Sequence, residues 1–176
     1  MNYLIFSDSH GDRDTFQSIL DYGRQDPQLA AVFYNGDSEF DASDPVWQGI
    51  HAVLGNMDYD SRYPVEQVYK NPQDHLTIYQ THGHLQRVAY GLTALNRDAE
   101  KVHAEIVLFG HTHIPFAQMH DNKLFINPGS PSFPRGPQRK IGGTFAILKV
   151  NPAFFQLDFY TRDFQKITAW ARRFSR

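Results

Sequence analysis

The feature that most constrains this sequence is a set of five short apolar runs, each of which ends in a loop of Asp, Asn or His residues. The runs cover residues 3–6, 31–34, 50–54, 76–80 and 106–109. Runs of four or five apolar residues bounded by Gly and polar residues are typical of buried β-strands. We therefore predict five strands whose C-terminal ends all present polar side chains.

The segments around these runs predict the rest of the fold. Residues 12–23 and 90–103 carry apolar side chains at helical spacing, and the second segment joins two of the strands in a βαβ arrangement. Beyond Ile114, short strand-like pieces at 116–119, 123–126, 143–150 and 154–160 are separated by turn residues, which favours antiparallel pairing. Together these elements predict an α/β fold, a sandwich of two mixed β-sheets flanked by helices.

Composition narrows the class of protein. With 176 residues, of which 41% are hydrophobic, we expect one domain over residues 1–176. The formal net charge of -2 gives no reason to expect general nucleic-acid or membrane binding. There are no cysteines, so any metal must be held by nitrogen and oxygen. The N-terminus lacks the pattern of a signal peptide, so we expect a cytoplasmic protein. A homo-oligomer is kept as an alternative to a monomer.

The loops that follow the five runs carry side chains suited to metal binding. Open α/β sheets gather their sites at the carboxyl ends of strands, so these loops are expected to converge. Each motif alone is weak evidence for a metal site, because a Gly-Asp or Gly-Asn pair is more often a simple turn. The whole set of nitrogen and oxygen ligands suits two metal ions better than one. Its members are Asp8, His10, Asp37, Asn56, His82, His111 and His113.

This ordered set resembles the calcineurin-like metallophosphoesterase family from Asp8 to about Ser130. The matching motifs are Asp8-x-His10, Gly36-Asp37, Gly55-Asn56-x-Asp58, His82 and Gly110-His111-x-His113. Family members of the small bacterial and archaeal phosphodiesterase subgroup lack a His after the Asn of the third motif, and here that position is Met57. The resemblance therefore implies a phosphodiesterase that acts on small phosphodiesters or activated phosphate esters.

The resemblance also implies how the metals are held. Asp8, His10 and His113 would bind the first ion, and Asn56, His82 and His111 the second. Asp37 would bridge the two ions, whose bridging hydroxide would attack phosphorus in line. Manganese is the expected metal, with nickel, cobalt, iron and zinc as alternatives.

Four residues are assigned further expected roles in the site: Asn56, Asp58, His84 and Arg135. Asn56 is expected to bind a phosphoryl oxygen as well as a metal, while Asp58 is read as a supporting carboxylate. Because Met57 cannot donate a proton, His84 is the candidate acid for the leaving group, with a solvated or backbone-bonded His as an equal alternative. Arg135 is a candidate phosphate ligand, and a solvated loop arginine is its alternative.

Two other segments and one alternative function complete the expectations. Residues 127–130 form a shaped loop that is expected to support the metal patch. Residues 170–176 are basic and aromatic, and we predict a solvated, partly frayed terminus there. A non-catalytic interaction scaffold on the same fold, like the retromer subunit that resembles these enzymes, is the alternative to a hydrolase.

Overall fold

Eleven strands and two α-helices make up the regular structure of the computed structural model, which describes residues 1–73 and 75–176. Short 3₁₀ turns join some of them. In chain order the elements are β1 (Asn2–Phe6), α1 (Arg13–Arg24), β2 (Leu29–Tyr34), β3 (Ile50–Ala52), β4 (Glu66–Lys70), β5 (Thr77–Thr81), α2 (Thr93–Lys101), β6 (Ile106–Leu108), β7 (Phe116–His120), β8 (Lys123–Asn127), β9 (Thr144–Asn151), β10 (Phe154–Thr161) and β11 (Arg172–Ser175).

The strands form two sheets, and each sheet mixes parallel and antiparallel pairs. The first has the order β11-β10-β9-β1-β2-β3, with β1, β2 and β3 parallel and the remaining pairs antiparallel. The second has the order β4-β5-β6-β8-β7, with β5, β6 and β8 parallel and antiparallel strands at both edges. The predicted α/β sandwich of two mixed sheets is confirmed.

The alternation of side chains along β1 explains why the sheets stack as they do. Tyr3 and Ile5 point into the core between the two sheets, where Ile78, Leu108 and other aliphatic residues of the second sheet meet them. Leu4 and Phe6 point to the opposite face and pack beneath α1. Successive side chains of a strand face opposite sides, so a strand that is apolar at every position must be covered on both faces.

Each helix covers the outer face of one sheet. Helix α1 begins where the Asp12 carboxylate accepts the Thr15 backbone N–H at 3.1 Å, and it buries Phe16, Ile19 and Leu20. Helix α2 buries Leu95 and Ala99 against the second sheet, together with the apolar residues of that outer face. The result is a layered molecule in which helix, sheet, sheet and helix follow one another.

The structure corrects three local predictions. β4 was not predicted, because its residues alternate between exposed and half-buried and lack an apolar run. Residues 170–176 are not a frayed tail: β11 pairs with β10, and the Arg173 guanidinium lies 3.6 Å from the centre of the Phe154 ring. Helix α2 is shorter than the predicted 90–103, because a 3₁₀ turn at Val88–Tyr90 precedes it.

Across residues 1–73 and 75–176, neither α1 nor α2 combines the length and apolar character that crossing a bilayer requires.

Candidate metal centre

The loops that follow β1, β2, β5 and β6 meet at one end of the sandwich. Asp8 and His10 follow β1, Asp37 follows β2, and His113 follows β6, so both sheets contribute. One ligand atom from each of these four residues lies within 4.8 Å of the other three, a geometry able to hold a metal ion. The convergence expected from the sequence is therefore present, with the refinement that the strand ends belong to two sheets.

The backbone at this end of the sandwich adopts a conformation that side-chain-bearing residues rarely enter. Left-handed φ values cost free energy at residues other than Gly, of order 1–3 kcal/mol each, and persist where the surrounding structure holds them. Such strain clusters at functional sites in folded proteins. The affected candidate ligands are Asp8 (φ 60°), His10 (φ 46°), Asp37 (φ 57°), His111 (φ 66°) and His113 (φ 59°).

Two glycines allow the loops to approach one another. A Cβ at Gly55 would collide with the Asp37 carboxylate and backbone N, and a Cβ at Gly110 would collide with the Ser7 hydroxyl. Both residues precede candidate ligands in the sequence. Their lack of a side chain is what brings the loops after β1, β2, β3 and β6 into contact.

A second group of candidate ligands adjoins the first. The Asn56 Oδ1 atom lies 3.2 Å from His82 Nε2 and 2.8 Å from His111 Nδ1. His82 is fully buried, whereas Asn56 is exposed at the surface of the site. Asn56, His82 and His111 thus form a compact set with one amide oxygen and two imidazole nitrogens.

Asp37 lies between the two groups. Its Oδ2 atom is 3.9 Å from His10 Nε2 on one side and 3.3 Å from His82 Nε2 on the other. Its Oδ1 atom accepts the Met57 backbone N–H at 2.7 Å. One carboxylate oxygen is therefore held by the third loop, while the other faces both groups of histidines.

Hydrogen bonds fix the orientation of three of the histidine rings. The Nδ1–H of His82 donates to the Asn35 carbonyl at 2.6 Å, and that of His113 donates to the Phe133 carbonyl at 2.7 Å. The Nδ1 atom of His10 bonds to the Glu39 carboxylate at 2.9 Å. Since a carbonyl or carboxylate can only accept, these contacts place the ring proton on Nδ1 and turn Nε2 toward the centre.

The donor set fits a cation. His10 Nε2 and His113 Nε2 lie 3.2 Å apart, and in neutral rings with Nδ1 protonated both carry lone pairs. Two lone pairs cannot bond to each other, but one metal ion accepts both. Nitrogens bound at about 2.0–2.1 Å to a tetrahedral ion lie roughly 3.3 Å apart. The spacing of these two atoms therefore suits ligands of one metal.

Burial and neighbouring charges shift the pKa values in the centre. Burial raises the pKa of Asp8 to about 6, against the opposing charge of His82. Burial lowers the pKa of His113 to about 4, and the nearby Arg135 charge acts in the same direction. Burial alone would lower the pKa of His82, but its hydrogen bond to Asp37 and the Asp8 charge raise it overall. Binding of a cation would therefore change the number of protons that these side chains hold.

Asp58 supports the loops from behind, as the sequence suggested. Its carboxylate accepts the backbone N–H groups of Gly55, Asp37, Ser38 and Glu39 at 2.7–2.9 Å. Residues 127–130, at the end of β8 and just beyond it, have a similar supporting position. The Ser130 hydroxyl donates to the Asp8 carbonyl at 2.7 Å and the Asn127 amide to the Gly110 carbonyl at 2.6 Å.

Other supporting residues were not identified from the sequence. Gln80 is buried and its amide donates to the Tyr34 carbonyl at 2.9 Å and to Asn35 Oδ1 at 2.9 Å, which links the two sheets beneath His82. The Tyr34 hydroxyl donates to the Asp37 carbonyl at 3.1 Å. Glu39, which contacts His10, is an exposed residue in a loop. No local pattern connects Glu39 with His10, which lies 29 positions away in the chain.

The remaining candidates lie around the centre. The His84 ring centre is 5.3 Å from that of His82 and 6.2 Å from that of His111. His84 Nδ1 is buried and has no hydrogen-bond partner within the described part of the chain. Burial lowers the pKa of His84. Arg135 is exposed, its backbone N–H donates to the His113 carbonyl at 3.2 Å, and Met57 is exposed beside Asn56.

The fold and the cluster of Asp and His side chains define a metallophosphoesterase. The chain matches the calcineurin-like phosphoesterase superfamily domain over residues 1–152 and belongs to that family. It is 31% identical over 160 residues to the probable metallophosphoesterase YsnB of Bacillus subtilis, an alignment that covers 91% of this chain and 90% of YsnB.

Further relatives share parts of the sequence or the fold. Phosphodiesterase YfcE of Escherichia coli is 36% identical over 97 residues, which is 48% of this chain and 46% of YfcE. The crystal structure of a predicted phosphoesterase from Streptococcus pneumoniae superposes with a TM-score of 0.92 at 38% identity, covering 99% of this chain and 97% of that one. Vps29 of Entamoeba histolytica shares the fold alone, with a TM-score of 0.73 at 22% identity over 100% of this chain and 99% of that one.

Proposed function

We propose that this protein is a dinuclear-metal-dependent phosphodiesterase. Asp8, His10 and His113 hold one divalent ion, Asn56, His82 and His111 hold the other, and Asp37 bridges them. Manganese is the proposed metal, with nickel, cobalt, iron and zinc as alternatives, because mixed imidazole, carboxylate and amide ligands suit these ions.

One observation carries the proposal: the Asp37 Oδ2 atom faces both groups of ligands. It lies 3.9 Å from His10 Nε2 and 3.3 Å from His82 Nε2. Asp8 Oδ1 also lies near one ring of each group, 3.4 Å from His113 Nε2 and 3.9 Å from His82 Nε2, but Asp37 Oδ2 is the closer of the two oxygens to His82. A carboxylate oxygen in that position supports a bridge between two ions. The bridge distinguishes a two-metal centre from a single site of four ligands.

Two divalent ions supply an activated water at neutral pH and neutralise charge on the phosphoryl oxygens. The protein's own contribution is orientation. Asn35, Glu39 and Phe133 hold the His82, His10 and His113 rings with Nε2 turned inward. The Met57 backbone N–H keeps Asp37 Oδ1 engaged so that Oδ2 remains directed at the centre.

Substrate recognition is assigned to groups at the exposed side of the centre. The Asn56 amide is exposed, so its Nδ2–H can bind a phosphoryl oxygen while Oδ1 binds metal. Met57 has no proton to give a leaving group, which supports diesters and activated esters as substrates. His84 is proposed as the group that protonates poorer leaving groups.

The test is hydrolysis of bis-p-nitrophenyl phosphate by the purified protein with Mn²⁺ and with EDTA. We expect turnover with Mn²⁺, loss with EDTA and recovery when Mn²⁺ is restored. Asp37→Asn should lose at least 10³-fold in kcat, in line with the loss of a group that organises the reacting centre. Asp163→Asn is the matched control, because Asp163 is exposed and far along the chain from the motifs.

Two results would contradict the proposal. Full activity of Asp37→Asn would refute the bridging role. Absence of turnover with every tested divalent ion would favour the non-catalytic scaffold.

A further inference from the structure

An open cleft of about 600 Å³ lies directly beside the candidate metal centre. Its walls come from the 3₁₀ segment before α2, from the segment that follows β6, from Phe116 at the start of β7 and from Arg135. The apolar lining includes Val88, Tyr90, Leu92, Phe109, Ile114 and Phe116. Binding sites for small organic molecules have volumes of about 300–1,000 Å³ and mostly apolar walls, so the cleft has the size of a ligand site.

His111 connects the cleft to the centre. Its side chain lines the cleft, while its Nδ1 atom lies 2.8 Å from Asn56 Oδ1. A molecule with its phosphorus at the metals can therefore extend an attached group past His111 into the cleft.

The charge at the cleft favours an anionic group beside Arg135 and uncharged groups elsewhere. Arg135 lines it, and the Arg135 backbone N–H bonds to the His113 carbonyl at 3.2 Å, which ties this cation to the centre. None of the described residues that line the cleft is acidic. The remaining walls offer apolar and aromatic contacts, which suit an uncharged group attached to an anion.

Tyr90 is the lining residue that is most available to a ligand. Its side chain is 87% exposed, and the Arg87 guanidinium lies 5.4 Å from its ring centre. An aromatic ring that is held by a cation on one side and open elsewhere can stack on a flat ligand group.

We propose that this cleft binds an aromatic ester group of the phosphoester that is cleaved at the metal centre. The inference rests on the proposed function and deepens it, because it names the class of alcohol that the enzyme prefers. Arg135 interacts with the phosphoryl charge, His111 separates phosphate from alcohol, and Tyr90 contacts the aromatic group.

The experiment compares two phosphonates of equal charge, phenylphosphonate and methylphosphonate, as ligands of the Mn²⁺-loaded protein in calorimetry. The phenyl compound should bind about tenfold more tightly, the gain expected when an aromatic ring replaces a methyl group in an apolar site. Tyr90→Glu should reduce this ratio to about one, since it removes the ring and leaves a hydrated carboxylate that offers the phenyl group no stacking surface. Tyr90→Phe should keep the ratio.

Tyr59→Glu is the matched control, because Tyr59 is also 87% exposed but lines a separate cavity with Asp41 and Arg62. It should leave the phenyl-to-methyl ratio unchanged. Equal binding of both phosphonates by the wild type, or an equal effect of the Tyr59 and Tyr90 changes, would overturn the inference. It would also be overturned if Tyr90→Glu dissolved a dimer without changing the ratio, since a second copy would then be the occupant.

A metal-free titration separates this inference from the proposed function. Phenylphosphonate should shift the backbone amide resonances of Gly91 and Leu92 in the metal-free protein, and methylphosphonate should not. If these shifts appear but bis-p-nitrophenyl phosphate is never hydrolysed, the proposed function fails and the aromatic cleft stands. If hydrolysis occurs without the shifts or the ratio, the cleft assignment fails alone.

Discussion

The Asp58 carboxylate accepts the backbone N–H of Asp37 at 2.8 Å, although the two residues lie on different loops. The same carboxylate accepts the N–H groups of Ser38, Glu39 and Gly55. A carboxylate that satisfies this many donors holds the loop after β2 against the loop after β3. The position of the Asp37 side chain therefore depends on a residue that need not touch metal or substrate.

Replacing Asp58 tests this dependence. In Asp58→Asn one of the two acceptor oxygens becomes an NH₂ group that faces backbone donors, so we expect a loss of about 2–4 kcal/mol in the free energy of unfolding. Metal affinity should fall as well, because Asp37 loses its support. Urea unfolding and Mn²⁺ calorimetry measure the two effects, and Asp163→Asn should show neither. If Asp58→Asn has the same free energy of unfolding as the wild type, the backbone N–H groups that Asp58 binds have found other acceptors.

The contact between Glu39 and His10 predicts an effect on metal affinity without loss of the fold. Glu39 is exposed and bonds to His10 Nδ1 at 2.9 Å. Partners of this kind orient a ligand ring, and their loss typically costs 10–100-fold in metal affinity. We expect Glu39→Ala to weaken binding of one Mn²⁺ ion by about this factor while the melting temperature of the metal-free chain changes little. Glu100→Ala, an exposed change on α2, is the control. Equal Mn²⁺ affinity in both variants would exclude an orienting role.

The shifted pKa values predict how metal binding depends on pH. Burial raises the pKa of Asp8 to about 6, so a metal must displace its proton below that pH. The pKa of His82 is raised above its ordinary value of 6.5, so a second proton must leave when metal binds at pH 6.5 or below. His113, with a pKa of about 4, is neutral from pH 5 upward.

Mn²⁺ affinity should therefore rise between pH 5 and pH 6.5, by roughly tenfold per pH unit for each displaced proton. Calorimetry in buffers of different ionisation enthalpy measures both the affinity and the protons released. Asp8→Asn should bind more weakly and with a flatter pH dependence. An affinity that stays constant over this range would contradict the assignment of Asp8 and His82 as ligands.

The local sequence predicted the strands that carry apolar runs and missed two edge strands, β4 and β11, that do not. Strands such as β1 and β6 are buried on both faces, so residues 3–6 of β1 and all of β6 are apolar, and these runs are visible in the sequence. β4 and β11 are edge strands with exposed polar positions, and their pairing is determined by a neighbour that the local sequence does not reveal.

The same distinction applies to the site. The candidate metal ligands stand in short motifs at strand ends, so the sequence alone identified them. Asn35, Gln80 and Glu39 act through contacts with residues distant in the chain, for example the bond from Gln80 to Tyr34, 46 positions away. A polar residue of this kind looks like any other loop or strand residue until the fold brings its partner to it.

The proposed role of His84, protonation of the leaving group, can be tested by kinetics. If it protonates the leaving group, His84→Ala should reduce kcat more for alkyl esters than for p-nitrophenyl esters, whose leaving group needs little help. Its lowered pKa means that the protonated form is lost as pH rises through a value below 6.5, so the alkyl-ester activity should be highest on the acidic side. An equal loss on both classes of ester would assign His84 a structural role beside His82.

We propose that two metal ions share Asp37. A crystal structure of the Mn²⁺-loaded protein with anomalous scattering measured at the manganese edge tests it most directly. We expect two peaks about 3.5–4 Å apart, with Asp37 Oδ2 between them. Asp8, His10 and His113 should surround one peak, and Asn56, His82 and His111 the other. A single peak held by Asp8, His10, Asp37 and His113, with none beside Asn56, would contradict it.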